Sequence, residues 1–143
     1  MKKVAISACL LGRTCRYDGR ENRDSALLEK LEGEVLIPFC PEDFCYGTPR
    51  PTMDLVETDQ GIKALSNLTG ADLSAPVVAY AEVFFDTHPD IDLFIGKDRS
   101  PSCGVCSARL YDREKQLLSE GATGLMADVA KGKNIACWDA EKY

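Results

Sequence analysis

Short apolar runs alternate with stretches of helical spacing in the first third of the chain. Residues 4–7 form a brief apolar run that predicts a buried strand. Alanine and leucine residues within 24–31 then recur at the spacing of one helix face, and Gly33 is the type of residue at which helices end. A second apolar run, residues 34–37, ends at Pro38. The order strand, helix, strand predicts a βαβ unit of a parallel sheet.

The rest of the chain continues this alternation around one segment rich in turn residues. Proline and glycine between Cys40 and Gly70 predict an irregular insertion after the second strand. Taken together, the pattern predicts an α/β fold, a single three-layer Rossmann-like domain over residues 1–143 with a mainly parallel sheet. The remaining predicted elements are helices at 74–88 and 124–131, strands at 91–95 and 134–137, and hairpins at 53–62 and 108–118.

Composition and charge narrow the class of protein. Apolar residues make up 45% and charged residues 28% of the chain, and no apolar run is long enough to cross a bilayer. The apolar stretch at the N-terminus is too brief for a signal peptide, so a cytoplasmic location is expected. The net charge of -6 argues against the broad phosphate contacts of a nucleic-acid-binding surface. The sequence leaves the oligomeric state open.

Seven cysteines are more than core packing usually needs, and an odd number cannot pair completely in disulfides. Three of them, Cys9, Cys40 and Cys103, each follow a predicted strand. Because loops that leave the carboxyl ends of parallel strands gather at one edge of the sheet, we expect these three thiols to converge there. Converging thiols indicate a metal centre or reactive cysteines.

The spacing alone leaves several kinds of cysteine site open. Structural zinc sites usually contain two close cysteine pairs or cysteine and histidine knuckles, whereas this chain has one C-x-x-C pair and only His88. A cubane iron–sulfur cluster accepts dispersed cysteines, which favours it over zinc. Other interpretations are a non-enzymatic zinc- or cluster-binding module, a sulfur carrier, and disulfide exchange between Cys103 and Cys106.

Polar side chains are predicted at the same edge of the sheet. Glu42 lies two residues after Cys40, and Ser100 lies three residues before Cys103. A carboxylate and a hydroxyl beside a metal are suited to acid–base chemistry on a coordinated substrate. Three arginines could neutralise an anionic cluster or bind an anionic ligand; they are Arg16, Arg50 and Arg99.

Five short motifs, in the same order, resemble a bacterial family long filed as a domain of unknown function, whose characterised members are thiouracil desulfidases. The similarity extends over residues 4–138. The motifs are SACLLG at 7–12, RYDG at 16–19, CPE at 40–42, TPRP at 48–51 and RSPSCG at 99–104.

The resemblance implies a [4Fe-4S] cluster held by Cys9, Cys40 and Cys103, with the fourth iron free. It further implies removal of sulfur from a small thiolated pyrimidine such as thiouracil, without net redox change, giving uracil and sulfide. Glu42 and Ser100 match the glutamate and serine that assist the reaction. Whether the substrate is a free base, a nucleoside or a thiolated residue in tRNA stays open.

The chain also departs from the family pattern beside the expected site. Residues 43–46 read Asp-Phe-Cys-Tyr where the family commonly has glycines, and Cys15 and Cys106 are additional. A further thiolate from Cys15, Cys45 or Cys106 would close the open iron position and convert a catalytic cluster into an inert or regulatory one.

Overall fold

The computed structural model describes residues 1–143, which form two sheets, four α-helices and two short 3₁₀ helices. The 3₁₀ helices are Ala8–Leu11 and Ala140–Lys142. In chain order the other elements are β1 (Lys3–Ser7), α1 (Ser25–Lys30), β2 (Val35–Phe39), α2 (Pro41–Tyr46), β3 (Met53–Thr58), β4 (Gly61–Ser66), α3 (Ser74–Thr87), β5 (Leu93–Gly96), β6 (Ala108–Tyr111), β7 (Leu117–Ala122), α4 (Leu125–Gly132) and β8 (Ala136–Asp139).

The first sheet contains four parallel strands in the order β2-β1-β5-β8. Both of its faces are covered, as parallel sheets require. Ala5, Phe39 and Phe94 pack against α3 and α4 on one face, while Val4 and Ile95 belong to the cluster that includes α1 on the other. The predicted α/β class and parallel sheet are confirmed.

The end of the second strand differs from the prediction. We expected Pro38 to end the strand after residue 37, but β2 continues through Pro38 to Phe39, and Pro38 pairs with Ile6 of β1. Proline lacks a backbone N–H and is tolerated only where a strand has no second neighbour. β2 is the edge strand of the sheet, so the missing donor breaks no ladder.

A second, mixed sheet in the order β4-β3-β6-β7 was not predicted. The predicted hairpins at 53–62 and 108–118 are both present, as β3–β4 and β6–β7, and a parallel pairing of β3 with β6 joins them. The insertion after the second strand is therefore not irregular, since it contains α2 and two strands of this sheet. The core of the second sheet includes Met53, Leu55 and Ala108, packed with Val77 of α3.

The topology of the first sheet sets the positions of the three strand-end cysteines. Cys9 lies in the 3₁₀ helix after β1, Cys40 directly follows β2, and Cys103 lies in the loop after β5. These strands are neighbours in the sheet and run in parallel, so all three cysteines lie at the same edge.

None of the helices is both long enough and apolar enough to span a membrane.

Candidate functional site

A cleft of about 670 Å³ lies at the carboxyl edge of the parallel sheet. Cys9, Cys40 and Cys103 all line it, as the strand order requires, and Cys15 is a fourth thiol in its wall. Cys9, Cys15 and Cys103 are buried and Cys40 is partly buried, and none is in a disulfide. The prediction that the three strand-end thiols converge is therefore borne out by their positions.

The 3₁₀ helix after β1 presents Cys9 to the cleft. Gly12, with φ 96°, ends this helix in the left-handed conformation that favours glycine, and its N–H bonds back to the carbonyl of Cys9. The thiol of Cys9 shares a hydrogen bond of 3.3 Å with the hydroxyl of Ser7. Ser7 therefore fixes the direction of the Cys9 sulfur.

Ser100 shapes the loop that carries Cys103. Its Oγ accepts hydrogen bonds from the backbone N–H groups of Ser102, at 3.2 Å, and Cys103, at 3.1 Å. Two glycines press against the same segment. A Cβ at Gly96 would lie 1.7 Å from the carbonyl oxygen of Cys103, and one at Gly124 would lie 2.6 Å from the carbonyl carbon of Ser102. Gly96 and Gly124 thus pack so closely against the backbone at Ser102 and Cys103 that a residue with a side chain at either position would displace it.

Asp139, at the end of β8, anchors the residues that follow Cys103. Its carboxylate accepts hydrogen bonds from the N–H of Val105 at 2.7 Å, the N–H of Cys106 at 2.8 Å and the hydroxyl of Ser107 at 2.8 Å. Asp139 is itself only 4% exposed. A buried carboxylate is costly unless it is hydrogen-bonded, so this network also satisfies the charge.

Burial changes the acidity of the two thiols deepest in the cleft. It raises the pKa of Cys103 to about 12, and it is also the main cause of the raised pKa of Cys9. Both are therefore protonated thiols at neutral pH in the metal-free chain. Metal ligands are thiolates, so ligation by these cysteines would release protons.

Cys15 and Cys40 form a pair within the cleft. The Cys40 thiol donates to the carbonyl oxygen of Cys15 at 3.8 Å. A hydrogen bond between the two side chains raises the pKa of Cys15 and lowers the pKa of Cys40, which makes Cys40 the more readily ionised partner.

The other cysteines lie outside this group. Cys106 is exposed, and its sulfur lies 3.7 Å from the Nζ of Lys131 on a different part of the surface. Cys45 and Cys137 are partly buried and do not line the cleft either. Of the additional thiols considered as further cluster ligands, only Cys15 lines the cleft. Cys137 packs against the core of the parallel sheet.

Glu42 lies in the first turn of α2 and points into the cleft. It makes no capping hydrogen bond to the helix, and its Oε2 accepts a hydrogen bond of 2.9 Å from the hydroxyl of Ser102. Its Oε1 lies 3.6 Å from the Nε of Arg50. Only 7% of the Arg50 side chain is exposed, and its buried Nε has no hydrogen-bond partner. An unpartnered buried donor beside a carboxylate is suited to hold an acceptor atom of a ligand.

The other two predicted arginines also line the cleft. Like Arg50, whose Nη1 donates to the carbonyl of Gly47 at 3.1 Å and to the hydroxyl of Thr48 at 2.9 Å, they have polar partners. Arg16 donates to Asn22 at 3.1 Å, and Arg99 forms a two-bond pair with the exposed carboxylate of Glu141 at 3.1 and 3.2 Å. Lys97 and Arg109 line the cleft as well and were not predicted. The cleft therefore concentrates positive charge on a chain whose net charge is -6.

The donor arrangement bears on which metal group could fit. The structure contains no group of three or more histidine, cysteine, aspartate or glutamate side chains arranged to hold a metal ion. A four-iron cluster places each cysteine ligand on a different iron, so its ligands stand around a cavity. The thiols of Cys9, Cys40 and Cys103 around one cleft, with the buried cation of Arg50 beside them, fit an anionic cluster.

Several residues that build this site were not predicted from the sequence. Ser102 directly precedes Cys103, but only Ser100, the first serine of the motif, was predicted to take part in the chemistry. Gly96, Gly124 and Asp139 carry no sequence signal of their own, because their partners are distant in the chain and are met only through the fold.

Comparisons with known proteins agree with these features. A family model described as 2-thiouracil desulfurase matches residues 4–142. The chain resembles the solved structure of the [4Fe-4S]-dependent thiouracil desulfidase TudS with a TM-score of 0.78 and 28% sequence identity, over 99% of this chain and 92% of that one. It is also 24% identical to the uncharacterized protein YbbK of Bacillus subtilis (strain 168) over 143 residues, covering 89% of this chain and 90% of the relative. The resemblance carried by the five motifs is confirmed.

Proposed function

The chain belongs to the 2-thiouracil desulfurase family, and from this premise we propose that it removes the sulfur atom of a thiolated pyrimidine such as thiouracil. Water replaces sulfur at the ring carbon, so that thiouracil and water give uracil and hydrogen sulfide with no net oxidation or reduction. The observation that carries the proposal is the cleft in which thiols from three parallel strand ends meet an ordered carboxylate.

The proposed cofactor is a [4Fe-4S] cluster held by Cys9, Cys40 and Cys103. When bound by three cysteines, such a cluster supplies an open iron that acts as a Lewis acid toward a thiocarbonyl sulfur. The TudS structure supports this assignment, because that protein is [4Fe-4S]-dependent and resembles this chain over nearly its whole length. Arg50, buried beside the thiols, would balance part of the negative charge.

Glu42 and Ser100 are the proposed proton-handling groups. Glu42 lines the cleft, and its Oε1, the oxygen not bonded to Ser102, is the atom at which a proton from the attacking water could be held. The hydroxyl of Ser100 lines the same cleft and lowers the pKa of the Cys103 thiol through a hydrogen bond, although burial outweighs this effect. The proposed role of this hydroxyl is to supply a proton to departing sulfide.

Arg50 has a stronger case for substrate contact than the other two arginines. Its Nε–H is buried, unpartnered and 3.6 Å from the Glu42 carboxylate. A ring carbonyl oxygen of the pyrimidine is an acceptor that this donor could bind. Arg16 and Arg99 are proposed to contribute mainly positive potential, because their side chains are 31% and 51% exposed, against 7% for Arg50.

The test starts from protein purified without oxygen. We expect about four irons and four acid-labile sulfides per chain, and loss of thiouracil with release of sulfide when the substrate is added. Cys103→Ser is expected to abolish this activity. Cys106→Ser is the matched control, because Cys106 is exposed and lies outside the cleft, and it should retain activity close to that of the wild type.

Each alternative has its own result. One zinc per chain and no desulfuration would support a non-enzymatic binding module. Loss of activity in both Cys103→Ser and Cys106→Ser would support a thiol–disulfide protein. Assays with free thiouracil, its nucleoside and thiolated tRNA would identify the substrate, and the net charge of -6 favours the small molecules.

A further inference from the structure

Ser102 is a buried hydroxyl in direct contact with the proposed proton-handling carboxylate. It is 1% exposed, and its Oγ donates to the Oε2 of Glu42 at 2.9 Å. The two residues are 60 positions apart, so the contact exists only because α2 and the Cys103 loop meet at the sheet edge. A hydrogen bond to an ionised acceptor is roughly twice as strong as one between neutral groups.

This hydrogen bond makes the two carboxylate oxygens of Glu42 inequivalent. Oε2 accepts the hydroxyl of Ser102, whereas Oε1 lies 3.6 Å from the Nε of Arg50 and is left for other partners in a residue that lines the cleft. Without the serine hydroxyl, the glutamate side chain could rotate about its terminal torsion, which is broad and roughly two-fold. Ser102 therefore determines which oxygen faces the substrate and in which direction.

Ser102 is itself held firmly. Its N–H donates to Ser100 at 3.2 Å, and its carbonyl accepts the N–H of Met126 at 2.7 Å and of Ala127 at 3.3 Å in the first turn of α4. Gly124 packs against its backbone at a distance that leaves no room for a side chain. Hydrogen bonds and the close packing of Gly124 thus hold the backbone of Ser102 in place, and a residue that positions another side chain needs such a rigid support.

We propose that Ser102 is a positioning residue of the reaction, which orients Glu42 so that Oε1 handles the proton in the cleft. The role rests on the proposed desulfuration, and Ser102 acts in it through the Glu42 carboxylate. Misplacing a catalytic group by about 1 Å can cost on the order of 100-fold in rate.

The first experiment compares Ser102→Ala with the wild type, both loaded with the cluster. We expect kcat to fall about 10- to 100-fold, with KM and the iron content unchanged. Ser102→Thr keeps the hydroxyl and should retain most of kcat. Ser74→Ala is the matched control, since Ser74 is also a buried serine with a used hydroxyl, accepting from Ala64 N–H at 2.8 Å, but lies outside the cleft.

A second readout does not depend on activity. In the same preparations, the thermal unfolding midpoint is measured for Ser102→Ala, Glu42→Gln and the double variant. If the hydrogen bond holds Glu42, the two shifts are not additive, and the double variant unfolds close to the more damaged single variant.

The outcomes separate this role from the proposed function. A wild-type protein that does not desulfurate overturns the proposed function, and the positioning role with it. An active wild type in which Ser102→Ala keeps its kcat, or in which Ser102→Thr loses as much as Ser102→Ala, overturns the positioning role alone. Additive shifts in the unfolding midpoint also overturn it.

Discussion

Asp98 is an acidic residue that the fold buries beside the cleft. It is 5% exposed, and its Oδ1 accepts the N–H of Glu141 at 2.9 Å. Burial raises the pKa of Asp98, and the nearby negative charges of Asp139 and Glu141 act in the same direction. The ionised carboxylate is therefore tolerated at a cost in stability, and the protonated form is the one that this environment favours.

Asp98→Asn is predicted to stabilise the protein at pH 7, because an amide keeps the acceptor oxygen and removes the buried charge. The folded-state pKa lies above that of the unfolded chain, so the stability that wild-type Asp98 contributes is present at low pH and is lost as the pH rises through the folded pKa. The advantage of Asp98→Asn should therefore shrink between pH 7 and pH 4. Urea unfolding of both proteins at each pH measures it, and a difference that does not change with pH would contradict the assignment.

At the scale of residues, the sequence predicted which cysteines share the cleft better than it predicted the groups that pack around them. The three strand-end cysteines and Glu42 could be placed at the sheet edge because each lies in a segment that follows an apolar strand run. Ser102, Asp98 and Asp139 could not, because their significance lies in partners that are 60, 43 and 34 positions away. A single sequence shows residue types but not such contacts.

At the scale of elements, the loop between β5 and β6 is shaped by close backbone packing. Gly96 ends β5, and a Cβ there would lie 1.7 Å from the carbonyl oxygen of Cys103. That atom is backbone, so it cannot rotate away as the end of a side chain could. The position of the Cys103 loop thus depends on a strand terminus without a side chain.

Gly96→Ala is predicted to lower the free energy of unfolding by about 3 kcal/mol, since the added methyl group must displace the loop backbone. Cluster loading should fall as well, because Cys103 moves with the loop. Gly132→Ala is the matched control: no atom lies within 4 Å of a Cβ there, and alanine is favoured over glycine in a helix. Denaturant unfolding and iron analysis of both variants test this, and equal stability of the two would be inconsistent with the close packing at Gly96.

For the whole molecule, the proposed cluster is expected to link the segments that follow three neighbouring strands at the carboxyl edge of the parallel sheet. Its proposed ligands follow β1, β2 and β5, three neighbouring strands of the parallel sheet. A group that binds the folded chain more tightly than the unfolded chain stabilises the fold by mass action. Binding of the proposed cluster is therefore expected to stabilise the folded state relative to the unfolded chain.

Anaerobic loading is predicted to raise the thermal unfolding midpoint above that of the chelator-treated protein. Cys103→Ser should lose most of this increase, whereas Cys106→Ser should keep it, because Cys106 is not in the cleft. Calorimetry or circular dichroism under argon gives the midpoints. The same midpoint with and without iron would argue against ligands drawn from three strand ends.

The α/β class, the parallel sheet, both hairpins and the family could be predicted from the amino-acid sequence. These features follow from local patterns and short motifs, since apolar periodicity and turn residues act over a few neighbouring positions. Three other features are visible only in the folded chain: β3 and β6 pair to join the hairpins in a second sheet, β2 is an edge strand that accommodates Pro38, and Cys15 rather than Cys106 shares the cleft. Strand order and side-chain contacts depend on groups distant in the chain, and packing against them fixes an arrangement that no local pattern encodes.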